Sequence, residues 1–271
     1  MTHDPEARAK IIAVANQKGG VGKTTTAINL GTALALAKQR VLIIDVDPQG
    51  NASTGLGILA SQREITTYDV LLGEADLADA IISSSVENLD VAPANVELSG
   101  ADADLMEADD RAKRLRSALE ATRTDDRCKS YQYILIDCPP SLNLLTINAL
   151  SAADSILVPL QCEFFALEGV TQLLTTVKRI QSGLNPRLRL HGIALTMYDK
   201  RNNLSAQVAE DVRENLSDLV FKTLIPRNVR LSEAPSFAMP ALIYDPYCAG
   251  SRAYTALAKE VMERDGILQT V

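Results

Sequence analysis

Cysteine is scarce in this 271-residue chain, and its four occurrences are scattered. Cys128, Cys138, Cys162 and Cys248 form no CxxC pair, and His3 and His191 are the only histidines. A zinc centre needs its ligands in tighter clusters than this. Nothing at the N-terminus suggests secretion, so no leader is expected. Met1–Lys10 is polar and charged without an apolar stretch, and is expected to be a flexible tail. Free thiols are therefore expected rather than disulfides. No apolar run approaches the roughly 18 residues of a membrane-spanning helix, so the expectation is a cytoplasmic protein with no membrane partner. A basic surplus is absent too, since the net charge is −7. That excludes a uniformly basic surface, but it leaves room for a local patch. From Lys178 to Arg252 there are 11 Lys/Arg against 7 Asp/Glu, which leaves −11 on the remainder. Linkers and repeats are lacking as well, so residues 11–271 are expected to form one domain around one core.

What is present is a regular alternation of short apolar runs and amphipathic stretches. Ile11–Ala15 reads as a buried strand that ends in a Gly-rich loop. Thr24–Lys38 places Ala27, Leu30, Leu34 and Ala37 at helical spacing, and Val41–Ile44 is a second strand. Strand, loop, helix and strand in about 35 residues make a βαβ unit, hence a parallel sheet with helices on both faces. Leu89–Ala92, Tyr133–Ile136, Ser155–Pro159 and Leu190–Thr196 continue the strands, and Lys222–Ile225 reads as another. Helices are expected over Arg111–Thr122, Leu142–Ser151, Leu167–Ser182, Asn203–Leu216 and Gly250–Arg264. The acidic segment Tyr68–Asp110 gives a weaker pattern, with short helices expected. The fold class is therefore α/β, doubly wound, with a mostly parallel sheet.

Three chemically suggestive segments begin where a strand run stops, the usual place for functional residues in such sheets. The first is Lys18-Gly19-Gly20-Val21-Gly22-Lys23-Thr24-Thr25. Its glycines let backbone N–H groups converge on an anion, and the following helix adds its positive end. Lys23 is placed for the β- and γ-phosphates of ATP, and the Thr24 hydroxyl for Mg²⁺. The match to the general P-loop is imperfect, because Gln17 stands where its first glycine belongs. An additional lysine, Lys18, precedes the glycine pair and is expected to project outward, toward a nucleotide on a facing subunit. The second segment is Asp45-Val46-Asp47-Pro48-Gln49-Gly50-Asn51, with Asp45 and Asp47 on one side of an extended chain. The third is Ile134–Asp137, an apolar strand that ends in a carboxylate suited to Mg²⁺, followed by the stiff turn Cys138-Pro139-Pro140-Ser141.

Asn16–Thr26 resembles the deviant Walker A loop of the ParA/MinD group of ATPases. The resemblance runs from Lys10 to about Leu257 and is weakest over Thr66–Asp110. It implies a P-loop NTPase fold and a slow, partner-stimulated ATPase whose two subunits sandwich two ATP molecules. Lys18 is then the lysine that acts across the dimer and Lys23 the one that acts within its own subunit. Asp47 is implied to orient the attacking water, and Asp45 and Asp137 to help hold the Mg²⁺ shell. The stretch Pro226–Ser236 resembles the late loop of chromosomal, Soj-type ParA proteins, which implies adenine and ribose contacts from Pro226 and Asn228. Thr196–Arg201 resembles a second segment near the base.

The same resemblance implies sequence-independent binding of double-stranded DNA by the ATP dimer, nucleoid association, and release by a ParB-like partner. Arg201 and Arg230 occupy matching positions, with Lys200, Arg227 and Arg252 as basic neighbours. Such phosphate contacts supply affinity without sequence readout. Two departures argue for a patch that is smaller or centred elsewhere. Ala238-Met239-Pro240 stands where Gly-Lys-Pro is frequent, and Tyr247 stands where Arg is common. Two other family functions stay open at this stage: a MinD-like, membrane-associated regulator of division and an ATPase that positions another cargo. The acidic balance of Tyr254–Val271 argues against a basic membrane anchor.

Overall fold

The structure, a computed structural model, describes residues 8–122, 125, 128 and 130–268. Branched apolar runs form eight strands of one sheet. They are β1 (Lys10–Val14), β2 (Val41–Asp45), β3 (Ile82–Ser83), β4 (Leu89–Ala92), β5 (Tyr133–Asp137), β6 (Ser155–Gln161), β7 (Arg189–Tyr198) and β8 (Val220–Pro226). Their order across the sheet is β3-β4-β2-β5-β1-β6-β7-β8. Every pairing is parallel except β3 with β4. The expected α/β architecture is thus the one that forms. The antiparallel edge strand β3 is an addition, and at two residues it is too short to leave a readable pattern.

The helices are α1 (Lys23–Leu36), α2 (Asn51–Gly55), α3 (Thr67–Leu72), α4 (Leu77–Ala80), α5 (Ala101–Asp104) and α6 (Arg114–Thr122). They continue with α7 (Leu144–Ala152), α8 (Ala166–Gly183), α9 (Asn203–Leu216), α10 (Val229–Glu233), α11 (Ala241–Tyr244) and α12 (Ala249–Arg264). Successive strand residues point to opposite faces, so each strand feeds two cores. Ile11, Leu42, Ile44, Ile134 and Ile136 pack with α3, α6, α7, α8 and α9. Ile12, Val14, Val41, Ile43 and Leu135 pack with α1, α11 and α12. A Cβ on Gly31 of α1 would lie 2.8 Å from Ile43 Cδ1, so that glycine sets how closely α1 approaches β2.

Two residues of the stretch 1–10, expected as a flexible tail, are held by the fold. Residues 1–7 lie outside the described residues, but Lys10 already pairs in β1 and Arg8 donates to Asp154 at 3.2 Å. The edge strand β8 is closed by side chains. Glu260 of α12 accepts from the Lys222 and Thr223 N–H groups at 2.7 Å, and Arg213 donates to the Lys222 carbonyl at 3.0 Å. Those bonds occupy ladder groups that would otherwise recruit another strand.

Candidate functional site

All three suggestive segments lie at the carboxyl edge of the sheet, and parallel register brings them together. Val14 pairs with Asp137 across β1 and β5, and Asp45 pairs with Asp137 across β2 and β5. The Gly-rich loop connects β1 to α1, with Gly20 (φ 75°) and Gly22 (φ 89°) in the left-handed region that glycine adopts without steric cost. Gly22 is also the N-cap of α1, so the loop delivers its ligand to a helix N-terminus. Side chains brace it from outside. Asn16 donates to the Pro159 carbonyl at 2.8 Å, Gln17 to Thr176 Oγ1 at 3.1 Å, and Thr196 to the Val21 carbonyl at 2.9 Å. Gln17, which breaks the general motif, thereby ties the loop to α8.

The two lysines have different surroundings. Lys23 is buried, and its Nζ donates to the Lys18 carbonyl at 2.9 Å. Burial lowers its pKa, while the charge of Asp137 opposes that shift. Lys18 is half-exposed at the rim, and its ammonium pairs with Glu163, which follows β6. Gly19, Gly20, Val21 and Gly22 lie between them in sequence, and Thr24 and Thr25 follow Lys23.

The three carboxylates also differ. Asp45 is fully buried and spends its oxygens on the segment that follows it. It accepts from the Asp47 N–H at 3.1 Å, the Ser53 N–H at 2.9 Å and the Ser53 hydroxyl at 2.7 Å. Asp47 accepts from the Gln49 N–H at 3.0 Å. Asp137 is equally buried, yet neither of its oxygens has a hydrogen-bond partner among the described residues. Burial, followed by the charge of Asp45, pushes its pKa well above the carboxylate range, and the nearby Thr24 and Lys23 pull it back.

An unpartnered buried acceptor calls for an explanation, and a bound cation is one. Thr24 and Asp137 fit Mg²⁺ as a hydroxyl and a free carboxylate. Among the described residues, no three His, Cys, Asp or Glu side chains gather into a metal cluster. A cation held partly by phosphates and water suits that sparse donor set, as Mg²⁺ prefers. Asp45 is less free to ligate, because the loop already occupies it.

A cavity of about 220 Å³ adjoins the loop, lined by Gly22, Thr25, Met197, Pro226, Asn228 and Tyr254 among others. Its walls come from α1, the ends of β7 and β8, and α12. Met197 holds a left-handed backbone (φ 52°), an uncommon state for a residue with a side chain. Asn228 caps α10 by accepting from the Arg230 N–H at 2.9 Å, which fixes its amide at the cavity edge.

With this geometry in place, comparison with known proteins is informative. A family model described as an AAA domain matches residues 9–190. The chromosome partitioning protein ParA of Caulobacter vibrioides is 60% identical over 256 residues, covering 94% of this chain and 95% of that protein. This chain belongs to the ParA family of partitioning ATPases. The sporulation initiation inhibitor protein Soj of Bacillus subtilis is 54% identical over 252 residues, covering 93% of this chain and 98% of that one. Among solved structures, cobyrinic acid a,c-diamide synthase of Mycobacterium smegmatis with bound ATP analog and magnesium is similar. It superposes with a TM-score of 0.81 at 36% identity, covering 96% of each chain.

Of the basic residues singled out in this ParA-family chain, Arg227 lines the cavity, and the five fall into two states. The Arg227 N–H donates to the Tyr198 carbonyl at 2.9 Å, which brings the ends of β7 and β8 together with Lys200, Arg201 and Arg227. Arg201 is held by Asp199 at 3.0 Å. Arg230 pairs with Glu233 at 2.8 Å and Asp245 at 3.4 Å, and it lies over the Tyr244 ring. Among the described residues, Lys200, Arg227 and Arg252 are exposed and make no ion pair. Three participants escaped the sequence reading: Ser53, Arg63 and Glu163. Each acts through a contact set by tertiary structure, and none stood within a segment already flagged, Ser53 lying just past Asp45–Asn51.

Proposed function

We propose that this chain is an ATP-switched partitioning ATPase that works as a dimer with two shared nucleotide sites. ATP and Mg²⁺ bind on the Gly-rich loop, and hydrolysis gives ADP and phosphate. The observation that carries the reading is the divided fate of the lysines. Lys23 is buried beside the phosphate loop, whereas Lys18 sits half-exposed on the rim with its ammonium on Glu163. Lys18 then serves the nucleotide of a facing subunit, and its pairing with Glu163 must be exchanged for that contact. The adenine occupies the cavity between Pro226, Asn228 and Tyr254.

Mg²⁺ held by Thr24 and Asp137 neutralises charge on the phosphates. Phosphoryl transfer then depends on positioning and charge complementarity, which Lys23, Lys18 and the loop N–H groups supply. Asp47 orients the attacking water. Dimerisation and ATP binding are consequently linked, each favouring the other. The dimer binds double-stranded DNA without sequence preference and so associates with the nucleoid. Lys200, Arg227 and Arg252 lead that contact, and Arg201 and Arg230 join once DNA phosphates compete for their acidic partners. A ParB-like, centromere-bound partner stimulates hydrolysis and release.

The test combines light scattering and DNA binding of the purified protein in ADP, ATP and a non-hydrolysable analogue. A dimer and salt-sensitive DNA binding are expected only in the ATP states. Lys18→Ala is expected to stay monomeric while binding ATP within about threefold of wild type. A stable ATP dimer of that variant would sink the shared-site reading.

A further inference from the structure

We propose that Arg63 is a positioning residue for ATP hydrolysis, holding the segment that carries Asp47 in its working conformation. The inference rests on the water-orienting reading of Asp47 and adds a residue outside every motif of the site. Arg63 follows the short helical turn Ala60–Gln62, and its guanidinium reaches back over α2. Nη2 donates to Thr54 Oγ1 at 2.7 Å and to the Ile58 carbonyl at 2.8 Å. Nη1 donates to the Ala94 carbonyl at 3.0 Å. One planar fork thereby joins the start, the end and the neighbouring strand exit of a single loop. Lysine lacks that fixed geometry.

The contacts continue to Asp47. Thr54 Oγ1, which accepts from Arg63, itself donates to the Gly50 carbonyl at 3.0 Å, and the Gly50 N–H donates to the Asp47 carbonyl at 2.8 Å. Gly50 is left-handed (φ 59°), and a Cβ there would collide with Arg63 Nη1 and lie 3.1 Å from the Ala94 carbonyl. Guanidinium and glycine therefore occupy complementary space. A second brace runs in parallel: the Ser53 hydroxyl donates to Asp45 and accepts from the Ala94 N–H at 3.1 Å. Asp45 anchors the segment from within the sheet and Arg63 clamps it from outside. None of these contacts touches the phosphate loop or the cavity beside Asn228. Loss of the clamp should therefore affect the hydrolytic step and leave nucleotide affinity in place.

The experiment measures single-turnover ATP hydrolysis and ATP affinity for full-length wild type, Arg63→Ala, Arg63→Lys, Thr54→Val and Asp47→Ala. Arg63→Ala is expected to hydrolyse ATP on the order of 10- to 100-fold more slowly, the scale of a misplaced catalytic group. Its ATP affinity should stay within about threefold of wild type. Arg63→Lys should recover little, while added ethylguanidinium should restore part of the Arg63→Ala rate. Thr54→Val keeps the fold and breaks one link, so a loss of about 3- to 10-fold is expected. Wild-type hydrolysis by Arg63→Ala, full recovery in Arg63→Lys, or joint loss of ATP affinity, stability and rate without guanidinium rescue would each overturn the inference. Asp47→Ala separates the two levels. Normal hydrolysis there removes the underlying reading, whereas an inactive Asp47→Ala beside a normal Arg63→Ala defeats the clamp alone.

Discussion

Replacing Asp137 by Asn should make the nucleotide-free protein more stable and the Mg·ATP-bound protein relatively less so. The side chain is fully buried, neither oxygen has a partner among the described residues, and Asp45 lies directly across on the adjoining strand. An unsatisfied buried acceptor costs about 1–3 kcal/mol, and more when it is charged. Asparagine keeps the shape, cannot ionise, and offers an amide N–H₂ that can donate toward Asp45. The change also forfeits attraction to Lys23, whose own burial already disfavours its charge. The net relief is about 1–2 kcal/mol. For a chain of this size that corresponds to a rise in Tm of roughly 2–4 °C in EDTA. Ligand present at a hundred times its Kd stabilises the wild type by about 2.7 kcal/mol. An amide oxygen is a poorer Mg²⁺ ligand than a carboxylate, so that increment should shrink sharply in the variant. Thermal denaturation with EDTA and with saturating Mg·ATP measures both quantities. A variant that melts lower in EDTA, or that keeps the full Mg·ATP increment, would refute the assignment of Asp137 as an acceptor reserved for a cation.

Two further perturbations test the framework around the site. Ala238 sits in the left-handed region (φ 54°, ψ 38°) at the end of the turn Ala234–Phe237. Ala238→Gly should therefore raise stability by up to about 1 kcal/mol in denaturant titration, and a loss would show that the strain is not there. His191 is buried, with Nδ1 4.0 Å from Asp265. Burial lowers its pKa, opposed by Asp265 and assisted by Arg264, Arg189 and Lys10. The unfolded chain therefore takes up the proton first, so this contribution is complete above about pH 6.5 and declines as pH falls below that value. His191→Gln should flatten the decline in Tm between about pH 7 and 5.5, and an unchanged slope would exclude His191 as its source.

The sequence reveals elements that declare themselves by local pattern, and it hides those that exist only through tertiary contact. Val41–Ile44 and Leu89–Ala92 were readable as strands because buried parallel strands are short continuous apolar runs. Asn203–Leu216 matched its observed bounds, because its apolar residues recur at helical spacing and Asn202 caps it. The phosphate loop was readable because glycine, lysine and threonine at fixed spacing have one dominant use. Asp137 gained its meaning from register, since a carboxylate that ends an apolar strand becomes informative once Val14 and Asp45 flank it. The partners of Lys18 and Gly50 carried no such signal. Glu163 stands 145 positions from Lys18, and Arg63 reaches Ala94 across 31 residues, at offsets that no helical or strand period predicts. The ion pairs that occupy Arg201 and Arg230 make the same point. Asp199 and Glu233 lie only two or three residues away in sequence, with Asp245 farther along the chain, yet a count of basic residues treats every cation as equally available. Once the acidic partners are placed, Lys200, Arg227 and Arg252 become the cations best prepared to meet a phosphate backbone. A patch with few unpaired cations also accords with an overall charge of −7. On the proposed DNA-binding reading, contact that starts from three open cations and recruits two more only by displacing carboxylates would be weak in the monomer. Duplicating the patch in the proposed dimer would strengthen it steeply, because the second set of contacts would form at high effective concentration. DNA affinity would in that way report the nucleotide state without any residue of the patch touching ATP.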